Sequence, residues 1–137
     1  EMIQNMDLQI QNNASIMWGI TFPGSAQIIG SIGFWRIEKD HHRAEIGYML
    51  NPGYWNIGYI TEAMDCVIEY GFEKMNLHSI EANINPHNLA SRRVLEKQGF
   101  QLEGFYRDTY SLNGKFLDSV VFSLLQSNKS YSKKLHD

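Results

Sequence analysis

One cysteine, three prolines and no apolar run long enough to span a bilayer are what this 137-residue chain has in short supply, and each shortage excludes something. A single cysteine cannot build an internal disulfide framework, so the fold must rest on burial. There is no charged-then-apolar leader and no spanning stretch, so the expectation is a soluble, cytoplasmic protein with no membrane partner. An excess of basic residues is also missing. The formal net charge of -3 argues against a nucleic-acid partner and suits a cationic substrate such as an amine.

What is present is enough apolar side chain, 43% of residues, to bury one core, which predicts a single domain over 1–126 with a polar tail over 127–137. Residues 1 to 13 scatter Met2, Ile3, Met6, Leu8 and Ile10 among Gln and Asn, which reads as a short amphipathic helix. From Ser15 the period becomes two, with Ile16, Trp18, Ile20 and Phe22 on one face. Pro23-Gly24-Ser25 is turn chemistry, so Gln27 to Ile37 returns as a hairpin partner, and Arg43 to Leu50 follows as a third strand. The histidines between them lack metal-ligand spacing, and no metal site is expected.

Residues 60 to 74 carry apolar pairs at helical spacing, with Cys66 between them as a small packing residue. His78 to Ile84 alternates again and should lie parallel to the strand ending at Leu50, through a right-handed crossover. Asn85 and Pro86 suit an N-cap and a first helical residue, for a helix running to about Gln98 and stopping at Gly99. Phe100 to Tyr110 and Phe116 to Leu125 form a last hairpin across Asn113-Gly114. This order predicts an α+β fold, a mixed and mostly antiparallel sheet with helices on its faces.

The stretch from Asn51 to Met64 organises the rest: strand, tight loop, helix. The first N–H groups of such a helix lack backbone partners and sit at the positive end of its dipole, where an anion is the natural guest. Gly58, without a Cβ, lets the backbone approach a phosphate closely.

Two blocks then resemble the GNAT superfamily of acyl-CoA-dependent N-acetyltransferases, and within it the ribosomal-protein alanine N-acetyltransferase branch. The first resembles the family's pyrophosphate loop, with Trp55, Gly58 and Ile60 at its marked positions. The second, Asn88, Ser91, Glu96, Lys97, Gly99 and Phe100, resembles its Asn-x-x-Ser helix ending in Glu-Lys-x-Gly-Phe. With Glu45-Ile46-Gly47-Tyr48, the likeness covers about residues 15 to 125. It implies a GNAT fold with a shortened N-terminus, since a strand and a further helix usually precede the helix read at residues 1 to 13. A sheet edge left open in that way would suit a homodimer.

The resemblance further implies acetyl-CoA as co-substrate, no metal, and direct attack by a primary amine in a ternary complex. The acceptor would be a protein N-terminus or a small-molecule amine. The backbone of Met49 and Leu50 would pair with the pantetheine arm, and the amides of Asn56, Ile57, Gly58, Tyr59, Ile60 and Thr61 would hold the pyrophosphate. Asn88 would bond the arm, Arg92 or Arg93 would add positive charge, and Ser91 would reach the thioester sulfur as proton donor. In the family the strand before the loop and the strand after the first core helix part at their ends to form a slot for that arm, and Glu45, on the strand that reaches the slot, is the expected base for the amine. Tyr110 is an alternative acid or a pocket wall, and Trp18, Trp35, Tyr48 and Phe105 are further candidate walls. Ile60 stands where the family has Gly or Ala. A crowded loop there would leave the alternative, a CoA-binding sensor or partner module without transfer activity.

Overall fold

Among the described residues, alternating apolar side chains build one sheet, and two helices close over it. The structure, a computed structural model, describes residues 5–12, 15–55 and 57–128. Its elements are β1 (Asn5–Asn12), β2 (Ser15–Thr21), β3 (Ile28–Glu38), β4 (Arg43–Leu50), α1 (Tyr59–Glu73), β5 (Ser79–Ile84), α2 (Leu89–Lys97), β6 (Gln101–Leu112) and β7 (Lys115–Leu125). The seven strands lie in the order β1-β2-β3-β4-β5-β7-β6, antiparallel throughout except for the parallel pair β4 and β5. The crossover through α1 makes that pair parallel, as the pattern predicts.

The helix expected within residues 1 to 13 is corrected: residues 5–12 form strand β1, paired antiparallel with β2 from Asn5–Thr21 to Asn12–Ser15. Met6, Leu8 and Ile10 fall on a strict period of two, opposite Ile20, Trp18 and Ile16 in the register. A neighbouring strand that satisfies the backbone outweighs a marginal helix of this length. The expected tail lies outside the described residues beyond Asn128.

Both α1 and α2 cover the same face of the sheet. The stripe Ile60, Ala63, Met64, Val67, Ile68 and Phe72 packs on core residues that include Ile32, Phe34 and Ile46, while Leu95 brings α2 to the same core. At about 25 cal/mol per Å², a fully buried side chain such as Leu95 stabilises the fold by roughly 1.5–3 kcal/mol. Cys66 lies off this stripe and is exposed, which corrects its reading as a packing residue. The start of α2 is corrected too. The N-cap is Asn88, while Asn85 accepts a hydrogen bond from the His87 N–H at 2.8 Å in the turn ahead of the helix. Asn-Pro imitates the start of a helix, but a second Asn three residues on takes the role.

Candidate active site

Strands β4 and β5 stay paired for only three residues: Arg43 with Ser79, Ala44 with Ile80, and Glu45 with Glu81. Beyond Glu45 each follows its other neighbour, β4 along β3 as far as the Gly30–Leu50 pair and β5 along β7 as far as Ile84–Val120. A gap therefore opens inside the sheet. On the helix side it leads into a cleft of ≈ 630 Å³ walled by the end of β4, the loop after it, and the first turns of α1 and α2.

The two helix starts meet this cleft differently. Helix α1 is capped by Gly58 at φ +97°, with no side chain to occupy its first N–H groups, and Gly58, Tyr59, Ile60 and Thr61 line the cleft. A left-handed residue at the cap turns the chain sharply into the helix and leaves those amides facing outward. Space is open around Gly58, so glycine is required there by backbone conformation and not by crowding. Ile60 is only 8% exposed because its side chain joins the core cluster, so most of its bulk is turned away from the loop.

Helix α2 begins on Asn88, whose side chain accepts the Ser91 N–H at 3.1 Å. Asn88, Ser91, Arg93 and Lys97 line the cleft, the two cations one helical turn apart. Arg92 does not line it. Its guanidinium lies 5.7 Å from the centroid of the Phe122 ring and its Nε is 3.2 Å from Glu96 Oε2. The spacing Ala90, Arg93, Val94, Lys97 marks the cleft-facing side of α2 and could have separated Arg93 from Arg92 in the sequence. Asn56 lies outside the described residues, and Ile57 is exposed without lining the cleft.

From β4, Tyr48, Met49 and Leu50 reach the cleft. The Trp55 indole N–H donates to the Leu50 carbonyl at 2.7 Å, closing the loop back on the strand. Tyr48 donates its hydroxyl to Ser91 Oγ at 2.7 Å. Burial pushes the Tyr48 phenol up from its ordinary pKa, and the bond to Ser91 draws it partly back. This β4 to α2 contact was not legible in the sequence, where Tyr48 is only one of several aromatic wall candidates.

Glu45 is on the opposite face, since its neighbours Ala44 and Ile46 point into the core. Its carboxylate pairs with Arg36, and Glu81, its partner in the last β4–β5 pair, holds Arg43 at 2.6 Å and accepts from Asn83 Nδ2 at 3.0 Å. The hydrogen bond to Glu45, then its charge, raises the Arg36 pKa. Trp35 covers this face beside Glu45: a Cβ on Gly47 would come within 1.8 Å of the indole nitrogen, so only glycine leaves room for the ring. Tyr110 sits exposed on β6 opposite Leu117, away from the cleft, and Phe105 is exposed on the same strand. Trp18 is core, edge-on to Tyr70 with ring centroids 5.0 Å apart. Among the described residues no group of three or more His, Cys, Asp or Glu could hold a metal ion, and no helix is long and apolar enough to cross a membrane.

Residues 1–101 match the family described as Acetyltransferase (GNAT) domain. The chain is 37% identical over 126 residues to the uncharacterized N-acetyltransferase p20 of Bacillus licheniformis, covering 92% of this chain and 69% of that protein. It is 28% identical over 115 residues to the [ribosomal protein uS5]-alanine N-acetyltransferase of Escherichia coli, covering 83% of this chain and 59% of that protein. The crystal structure of a probable acetyltransferase superposes with a TM-score of 0.78 at 33% identity, over 84% of this chain and 64% of the other. The chain thus spans about two thirds of the length of these relatives.

Proposed function

The chain belongs to the GNAT acetyltransferase family, and from that premise we propose that it moves an acetyl group from acetyl-CoA to a primary amine by direct attack in a ternary complex. One observation carries the reading: the gap where β4 leaves β5 opens into a cleft that unites a helix start without a side-chain cap, two cations and a half-buried hydroxyl pair. Acetyl-CoA supplies the acetyl group in activated form, as a thioester.

The residues fit that co-substrate. The amides of Gly58 to Thr61, with Arg93 and Lys97, suit a diphosphate, because helix-end N–H groups and nearby cations stabilise an anion together. The edge of β4 beyond Glu45 has no strand beside it, and it suits the strand-like amides of a pantetheine arm, with Asn88 nearby. Ser91 faces the cleft as a donor for departing sulfur. Glu45 takes the proton of the amine, directly or through water, once Arg36 yields it.

The acceptor class is a protein N-terminus or a small amine. The name of the Escherichia coli relative, which acts on an alanine of a ribosomal protein, supports the first, and the carboxylates Glu45 and Glu81 beside the gap suit either. Calorimetric titration with acetyl-CoA, CoA and ADP tests the cleft. Binding of acetyl-CoA near the micromolar range and tighter than ADP is expected, followed by thiol release when N-terminal peptides or polyamines are added. A folded chain that binds no acetyl-CoA overturns the reading.

A further inference from the structure

Ser91 is the third residue of α2, and two contacts fix it. Its N–H is held by Asn88 Oδ1 at 3.1 Å, and its hydroxyl oxygen receives the Tyr48 hydroxyl at 2.7 Å. A serine hydroxyl has one proton and two lone pairs. The phenol is the stronger acid of the two, so Tyr48 donates and Ser91 accepts. With that lone pair engaged from the β4 side, the Ser91 proton must point elsewhere, and the open direction at this 9%-exposed residue is the cleft it lines.

We propose that Tyr48 is a positioning residue for acetyl transfer: by donating to Ser91 Oγ it turns the Ser91 hydroxyl proton into the cleft, toward the sulfur that leaves. The inference rests on the acetyltransferase reading and adds to it a residue that acts through Ser91. A phenol is protonated near neutral pH at its ordinary pKa, about 10, and burial moves Tyr48 further that way, so the donor persists under working conditions.

The C–N bond forms, the C–S bond breaks, and the electron pair of the latter stays on sulfur. The amine proton goes to Glu45 or water, and the thiolate, about as basic as that of cysteine, takes a proton from solvent after departure. Ser91 needs only to donate a hydrogen bond, so neither hydroxyl changes its proton count.

The test reads the thiol of bound CoA. Thiolate absorbance against pH, with the intact chain saturated by CoA, gives that pKa for wild type, Tyr48→Phe, Ser91→Ala and the double variant. The other titratable groups lining the cleft are Arg93 and Lys97 of α2, Tyr54 of the loop and Tyr59 of α1, and all four are common to these proteins. Differences among the four therefore belong to the hydroxyl pair. The wild-type complex should hold the thiol below its free value, each single variant should bring it back toward that value, and the double variant should match Ser91→Ala. In turnover, Tyr48→Phe should lower kcat about tenfold while the Kd for acetyl-CoA stays within about twofold.

The proposal falls if Tyr48→Phe leaves the thiol at its wild-type value, or shifts it as much in the Ser91→Ala background as in wild type. A chain showing the hydroxyl-dependent shift but acetylating no amine would overturn the acetyltransferase reading, and leave of the proposal only that Tyr48 turns the Ser91 proton toward the bound thiol. A folded chain that binds no CoA would overturn both.

Discussion

The Arg36 guanidinium closes on the Glu45 carboxylate at the last residue where β4 is still paired with β5. The side chain proposed to accept a proton from the amine thus already has a cation at its oxygen. Arg36 is 64% exposed and Glu45 19%, so the pair is a surface contact on one side and a sheltered one on the other.

If Glu45 is the base, Glu45→Gln should cut amine acetylation about 10²- to 10⁴-fold and leave the calorimetric Kd for acetyl-CoA unchanged. Arg36→Gln should alter stability by less than about 1 kcal/mol, because exposed ion pairs contribute little. Equal losses of turnover and of acetyl-CoA binding in Glu45→Gln would assign the residue to the fold instead.

Arg93→Ala and Lys97→Ala should each weaken acetyl-CoA and ADP binding about three- to tenfold, more at low ionic strength than at high. Arg92→Ala should leave both affinities in place, since its guanidinium lies over Phe122. Titrations of the three variants at two salt concentrations would decide, and a loss confined to Arg92→Ala would reverse the assignment.

Gly58→Ala should destabilise by about 1–2 kcal/mol, because the cap sits at φ +97° and the space around it is open, leaving strain as the cost. Its affinity for ADP should fall as well, since relaxing the cap turns the first amides of α1. A thermal melt unchanged from wild type would show that an alanine is tolerated at this dihedral.

Tyr48 sets an alkaline limit. Its folded-state pKa is raised by burial, so the folded chain keeps a proton that the unfolded chain gives up. The corresponding stability is whole below the ordinary tyrosine range, about pH 10, and is lost as pH climbs through the folded value. Denaturant melts should therefore fall off above about pH 10 more steeply for wild type than for Tyr48→Phe. Parallel curves would mean that another group governs the alkaline limb.

Much of this was legible in the sequence, and what was not has identifiable causes. Strong periodicity placed β2, β4, β5 and the body of α1, and Asn113-Gly114 placed the last hairpin. Residues 5–12 were misread because a few apolar residues among Gln and Asn fit either period, and only the neighbouring β2 decides. Asn85 and Asn88 are chemically equal caps, and geometry chose the second. The parting of β4 and β5 came from the family resemblance and not from periodicity, and the residue at which it begins, Glu45, is set only by folding, as is the meeting of Tyr48 with Ser91.

The parting of β4 from β5 has a kinetic consequence. The cleft opens on the helix side, whereas Glu45 and its ion pairs lie on the other, so on the proposed reading donor and acceptor would approach the gap from opposite sides of the sheet. Neither route runs through the other. On the proposed reading the two substrates bind in random order, and the product CoA competes with acetyl-CoA for its seat while leaving the path of the amine open.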